Sequence, residues 1–106
     1  MTDPEAQRLA QQVRLLLRRL GPTDEAVARA LRRRHARGVH GLTFFNPLAL
    51  YLRRRLKQLV MVNATRTTVF RPHNQRPVRV PHPKAIRDFV ETCLDGAYPD
   101  LCERVE

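Results

Sequence analysis

The residue types that most often carry out catalysis are few and scattered in this sequence. Serine is absent, so a serine nucleophile is excluded. The two cysteines, Cys93 and Cys102, stand nine positions apart and do not form a Cys-x-x-Cys pair. We expect Cys93 to pack as a small apolar side chain on the buried stripe of a helix, with a disulfide or a redox sensor as the alternative. Two cysteines cannot form the framework of a disulfide-rich secreted domain.

Histidines and carboxylates do not add a catalytic or metal site. No two histidines have the i, i+3 or i+4 spacing of zinc ligands on a helix, and none lies near a cysteine. We expect His35 and His82 to be capping or surface residues. General acid–base catalysis needs a tuned carboxylate or histidine, and the middle of the chain has no carboxylate. The sequence therefore predicts a protein that is not an enzyme, with no metal, no cofactor and no small-molecule substrate.

The charge of the chain, in contrast, is distributed very unevenly. Residues 1–25 are neutral overall, residues 26–87 contain fifteen Lys or Arg and no acid, and residues 88–106 contain six acids and one Arg. Folded surfaces normally mix both signs to limit repulsion, so this pattern indicates attraction to a polyanion. Nucleic acid is the first candidate, ahead of an acidic protein or an anionic membrane. The alternative is a GC-rich genome, which explains Arg in place of Lys but not the missing acids.

Three helices are predicted in the first half of the chain, and they position most of these cations. Residues 5–20 carry leucine and valine at the spacing of one helix face. Thr23 is a suitable N-cap for a helix over 24–37, and Asn46 is one for a helix over 46–57. The connection between the second and third helices is longer than the turn of a standard helix-turn-helix motif.

The period of the apolar residues changes in the second half. Residues 59–71 contain two β-branched runs, which predict a hairpin. Four prolines within 71–83 limit any further strand to a short edge near Val78. An apolar stripe at helical spacing predicts a helix over 83–95, and a last short turn or helix is predicted over 99–105. No run approaches the ~20 apolar residues of a membrane span, and we expect no signal peptide.

The order of these elements predicts the fold class. We expect one domain over 1–106, of the α+β class and mainly helical, with three helices, a β-hairpin and one or two C-terminal helices. Three helices followed by a two-stranded ribbon is the order of a winged helix-turn-helix domain, in which the hairpin would be the wing. A winged-helix-like layout is therefore the prediction, despite the long connection before the third helix.

The candidate nucleic-acid-binding residues are cations of the acid-free segment. Arginine pairs bidentately with phosphate or with guanine edges. Duplex DNA is favoured over single-stranded RNA, because few aromatic side chains are present to stack on bases. If six to eight cations contact phosphates, binding should fall with salt at a log–log slope of roughly −5 to −7. The candidates are Arg29, Arg32, Arg33, Arg37, Arg53, Arg54, Arg55, Lys57, Arg66, Arg71, Arg76 and Arg79.

Two segments carry a family resemblance. The stretch from Thr43 to Leu56, with its Pro-Leu-Ala-Leu-Tyr-Leu-Arg sequence, resembles a P-x-A-x-Y-L-R helix found in small actinobacterial proteins. The end of the chain resembles the C-terminal segment of the same proteins. The resemblance covers about residues 24–104 and implies a small bacterial, cytoplasmic domain, but no activity and no site residues. The matching positions at the end of the chain are Val80, Pro83, Ile86, Phe89, Val90, Asp95, Gly96, Tyr98, Pro99 and Leu101.

The sequence supports two hypotheses of function. In the first, the protein binds duplex DNA as a small regulator or another DNA-associated factor, with the third helix and the hairpin facing the duplex. In the second, it is a protein–protein interaction module or a homodimer without nucleic acid. The acidic segment 88–106 would then dock on a basic surface of the same chain, of another copy or of a partner.

Overall fold

The computed structural model describes residues 3–39, 44 and 46–103. These residues form four helices and five short strands, so the mainly helical α+β class is confirmed. In chain order they are α1 Pro4–Leu20, α2 Asp24–Arg33, β1 Gly38–Val39, α3 Pro47–Leu56, β2 Val60–Val62, β3 Arg66–Val69, β4 Val78–Pro81, α4 Lys84–Leu94 and β5 Cys102–Glu103.

The strands β2, β3 and β4 form an antiparallel sheet in that order. Val60 pairs with Val69 across the predicted hairpin, and Thr67 pairs with Val80 on the other side of β3. The predicted edge near Val78 is therefore the third strand of the sheet. Helices followed by antiparallel strands are compatible with a winged-helix-like layout, in which the ribbon has three strands instead of two.

The core lies between the helices and the inner face of this sheet. α1 packs on β4, α3 packs on β2, and α2 packs on α4. The inner face of α1 buries its periodic leucines, such as Leu17, while α4 contributes Ile86 and Phe89. Each fully buried side chain of this size stabilises the fold by about 1.5–3 kcal/mol. None of the described helices is long and apolar enough to cross a membrane.

Capping residues set where the helices begin. The Thr23 hydroxyl accepts from the Ala26 amide at 3.2 Å at the start of α2. Asn46 starts α3, because its Oδ1 accepts from the Ala49 amide at 2.9 Å. The Nδ2 of Asn46 also donates to the Val62 carbonyl at 3.0 Å. One side chain therefore fixes both the first turn of α3 and its position against β2.

The prediction that the second helix extends to residue 37 is wrong, since α2 ends at Arg33. His35 adopts a left-handed conformation with φ 52. The amide of His35 donates to the Arg32 carbonyl, and the Ala36 amide donates to the Leu31 carbonyl at 3.0 Å. These bonds form a Schellman motif, which ends a helix by turning the chain back on its last carbonyls.

Of the short turn or helix predicted over 99–105, the turn is confirmed at 99–101 and the helix is wrong. Leu101 is in a turn, and Cys102–Glu103 form the strand β5, which pairs in parallel with β1. The Gly38 amide donates to the Leu101 carbonyl at 2.8 Å, so this segment satisfies backbone groups of the connection before α3. The predicted residues 104–105 lie outside the described part of the chain.

Candidate nucleic-acid interface

A basic groove runs along the C-terminal half of α3 and the residues that follow it. Its volume is about 510 Å³. The apolar part of its lining includes Leu59, which is 48% exposed. Arg55 is exposed but does not line the groove, so the four cations within residues 53–57 do not all face one way. We call this feature the α3 groove, and it is lined by Leu50, Arg53, Arg54, Lys57, Gln58 and Leu59.

The end of α3 shapes this groove. Lys57 is the C-cap residue, with a left-handed φ of 56, and its amide donates to the Arg53 carbonyl at 2.8 Å. The left-handed residue turns the chain back, so Leu59 comes to line the same groove as the helix. Cations in the last helical turn interact favourably with the negative end of the helix dipole. The local structure therefore tolerates a concentration of positive charge at this position.

Arg54 connects the end of α3 to the end of α2. Its Nη1 donates to the Arg34 carbonyl at 3.0 Å and to the His35 carbonyl at 3.2 Å. Both carbonyls belong to the Schellman turn that ends α2. The Arg34 guanidinium in turn lies 5.6 Å from the centre of the Tyr51 ring on α3.

These contacts bring together two arginine clusters that are about twenty positions apart in the chain. The surface they form joins the last turn of α2 to the α3 groove. We call it the α2–α3 surface and define it by cations at the ends of the two helices, namely Arg33, Arg34, Arg53, Arg54 and Lys57.

The outward face of α2 is partly covered by an acidic residue from the end of the chain. Arg32 donates to Asp100 through two atoms, with distances of 2.5 Å from Nε to Oδ2 and 3.1 Å from Nη2 to Oδ1. The hydrogen bond from Arg32 holds the pKa of Asp100 below its usual value. This candidate cation is therefore engaged by a carboxylate of the same chain.

Tyr98 anchors the segment that carries Asp100. Its hydroxyl donates to Asp24 Oδ2 at 2.7 Å, and its ring stacks on Phe89 with a centroid distance of 5.4 Å. Burial, followed by the bond to Asp24, raises the pKa of Tyr98 to about 12. The segment is thus held to α4 by a ring contact and to α2 by a hydrogen bond.

Arg71 was predicted to contact phosphates beside the hairpin, and the structure gives it a different role. Its side chain is only 7% exposed, and its Nη1 donates to Asp3 Oδ2 at 2.9 Å. Its Nε donates to the Arg76 carbonyl at 2.8 Å. The other oxygen of Asp3 accepts from backbone amides at the start of α1. Arg71 therefore ties the loop after β3 to α1 and is not accessible to a phosphate.

Arg66 and Arg79 lie on the outer face of the sheet. They line a second groove, of about 290 Å³, together with Thr65 and Pro81, and we call it the sheet groove. The sheet groove is separate from the α3 groove, since no residue lines both. The remaining candidates, Arg29, Arg37 and Arg76, are exposed and line neither groove.

The prediction that His82 is a capping or surface residue is wrong. It is 6% exposed, and its Nε2 lies 2.8 Å from the Thr67 hydroxyl oxygen. Burial lowers its pKa to about 4. The signal was present in the sequence, because His82 continues the alternation of Val78 and Val80, whose side chains point inward. Cys93 is buried in the core, as its place on the helical stripe predicts.

Comparisons with family models, curated proteins and solved structures give no match for this chain. The resemblance to small actinobacterial proteins therefore stays an expectation. In the described part of the chain, no group of three or more His, Cys, Asp or Glu is arranged to hold a metal ion. The arrangement of the cations is the feature from which a function can be argued.

Proposed function

We propose that the protein binds the phosphate backbone of duplex nucleic acid, DNA in the first place, through the α2–α3 surface. The observation that supports this most is the pair of hydrogen bonds from Arg54 to the carbonyls of Arg34 and His35. They join two arginine clusters within a segment that has no carboxylate of its own. Such a surface gains binding free energy by releasing counterions from the duplex.

The arrangement favours contact with phosphates over reading of bases. A recognition helix usually presents residues of its N-terminal half to the major groove. In α3 that half is buried, including Leu48 and Ala49, and Asn46 is bonded to β2. The accessible end of α3 carries cations instead. We therefore infer a small DNA-associated factor of the bacterial cytoplasm that binds without strong sequence preference, and whose effect on transcription would follow from its occupancy of DNA.

Fluorescence anisotropy with two labelled duplexes of unrelated sequence tests this proposal. We expect binding below about 10 μM at low salt, with equal affinity for both duplexes. Affinity should fall with salt at a log–log slope of about −5 to −7. Absence of binding at that concentration in low salt would contradict the proposed function, and a large preference for one duplex would contradict sequence-independent binding.

Charge-removing variants test the surface itself. Arg33→Gln and Lys57→Gln each remove one exposed cation of the α2–α3 surface. Each should weaken binding several-fold and reduce the magnitude of the salt slope by about 1. Arg8→Gln, on an exposed position of α1, is the matched control. If Arg8→Gln weakens binding as much, net charge rather than this surface determines affinity.

A second candidate function is a protein-interaction module for an acidic protein or for another copy of the chain. The observation that favours it is the Arg32–Asp100 pair, in which an arginine of the basic helix α2 binds a carboxylate. Sedimentation at low and high salt tests self-association, and a monomer at both would contradict the homodimer. A truncation after residue 87 is unsuitable, because it deletes most of α4 and its core residue Phe89.

A further inference from the structure

The sheet groove brings two arginines of neighbouring strands to the same face of the sheet. In the β3–β4 register, Arg66 pairs with Pro81 and Thr68 pairs with Arg79. Since directly paired residues share a face and alternate residues of a strand return to it, Arg66 and Arg79 are diagonal neighbours on the outer face. Side chains as long as arginine reach each other across such a diagonal.

These two guanidinium groups differ from the engaged arginines of the molecule. Within residues 3–39, 44 and 46–103, neither Arg66 nor Arg79 has an ion-pair or hydrogen-bond partner for its side chain. Arg32 and Arg71, in contrast, each bind a carboxylate. Two guanidinium groups within reach of each other on this diagonal repel each other, so an anion between them would relieve that repulsion.

The backbone around the groove is held in place before any ligand arrives. Asn63 Oδ1 accepts from the Thr65 amide at 3.0 Å and from the Arg66 amide at 2.8 Å, which fixes the turn between β2 and β3. The His82 amide donates to the Thr65 carbonyl at 2.9 Å, which ties this turn to the end of β4. The Thr65 hydroxyl makes only a long contact of 3.4 Å with Asn63 Oδ1. It can therefore turn toward a ligand at little cost.

We propose that Arg66 and Arg79 bind one phosphate group in the sheet groove, with the Thr65 hydroxyl as a third donor. Guanidinium groups match the oxygens of phosphate bidentately. Two positive charges balance a phosphomonoester, which carries about −1.5 to −2 near pH 7, better than a singly charged phosphodiester. The ligand is therefore a phosphomonoester, such as the terminal phosphate of a duplex, and an internal phosphodiester is the second source of the same chemistry.

The position of the sheet groove relative to α3 agrees with a nucleic-acid ligand. Asn46, at the start of α3, is bonded to Val62 beside the turn that carries Thr65 and Arg66. The α3 groove lies at the other end of the same helix. The ten residues of α3 separate the two ends by about 15 Å at 1.5 Å per residue. A duplex whose backbone lies on the α3 groove would thus bring its end near Arg66. This part of the inference rests on the proposed function.

The phosphate site is tested first without nucleic acid. Inorganic phosphate is titrated into the ¹⁵N-labelled full chain while the arginine Nε–H resonances are followed by NMR. We expect the signals of Arg66 and Arg79 to shift and to saturate in the millimolar range. Arg79→Gln should abolish the shift of Arg66, and Arg8→Gln should leave both shifts unchanged. Absence of a saturable shift in the folded wild type would overturn the site.

Duplexes of identical sequence with a 5′-phosphate or a 5′-hydroxyl then identify the source of the phosphate. We expect the phosphorylated duplex to bind at least threefold tighter, and this difference to disappear in Arg66→Gln and Arg79→Gln. Equal affinity for both duplexes, weakened equally by these variants, would support an internal phosphodiester and overturn the terminal one. If the wild type binds neither duplex while the phosphate shifts are present, the site stands and the proposed function fails.

Discussion

His82 shows how strongly the surroundings of one side chain change its chemistry. It is buried beside Thr67, and desolvation lowers its pKa to about 4 from 6.5, with a smaller contribution from the charge of Arg87. In the unfolded chain the imidazole takes up a proton near pH 6.5. Between these two values the unfolded state binds more protons than the folded state. The stability that depends on neutral His82 is thus complete above pH 6.5 and is lost as the pH falls toward 4.

We predict that His82→Gln removes this part of the pH dependence. In urea unfolding, the wild type should lose about 2–3 kcal/mol between pH 6.5 and 4 through this residue, beyond the loss that its carboxylates cause. The variant should lose only the carboxylate part. His73→Asn, in an exposed turn, is the control and should behave as the wild type. Identical pH profiles for His82→Gln and the wild type would contradict the assignment.

At the scale of elements, the position of α3 depends on side-chain hydrogen bonds from its two ends to other elements. Asn46 caps the helix and also donates to the Val62 carbonyl of β2. The C-terminal end of α3 is joined to α2 through Arg54. The helix that carries the α3 groove is therefore fixed at both ends by side-chain bonds to other elements.

We predict that Asn46→Ala costs about 1.5–3 kcal/mol of unfolding free energy, since it removes a cap worth about 1 kcal/mol and a second hydrogen bond of similar size. Thr23→Ala removes a cap without a second bond and should cost only about 1 kcal/mol. Asn46→Asp keeps the capping oxygen and should lie between the wild type and Asn46→Ala. Equal costs in chemical denaturation for Asn46→Ala and Thr23→Ala would mean that the bond to β2 contributes nothing.

At the scale of the whole molecule, the net charge of +10 is not spread evenly. The acid-free segment forms the α2–α3 surface and the sheet groove, while Asp100 of the acidic segment lies against α2. Asp100 binds the guanidinium group of Arg32, and this pairing keeps Arg32 from contacting a phosphate. The chain thus carries an internal anion beside its proposed nucleic-acid surface.

We predict that Asp100→Asn strengthens binding to duplex DNA about threefold and steepens the salt slope by about 1, because Arg32 becomes available to a phosphate. The pair is roughly half exposed, at 43% and 52%, so its loss should cost at most about 1 kcal/mol of stability. Asp88→Asn, which removes the same charge from an exposed pair on α4, is the control. An equal gain for both variants in anisotropy titrations would show that only net charge matters.

The sequence determined the features that depend on near neighbours along the chain. Apolar periodicity and the caps Thr23 and Asn46 predicted the starts of the helices to within one residue, and the β-branched runs predicted the strands β2 and β3. The Schellman end of α2 was missed because it requires His35 in a left-handed conformation. A left-handed conformation is uncommon in residues other than glycine, so local preferences do not predict a helix end at this position.

Only the tertiary structure decided which cations are accessible. Arg71 meets Asp3, and Arg32 meets Asp100, across 68 positions of the chain in each case. Arg54 binds carbonyl groups that lie 20 and 19 positions away in the chain. The sequence pattern shows only how many charged residues a segment contains. The side on which each charge lies, and the partner it meets, follow from how the helices and the sheet pack, because that packing brings distant segments within hydrogen-bond distance.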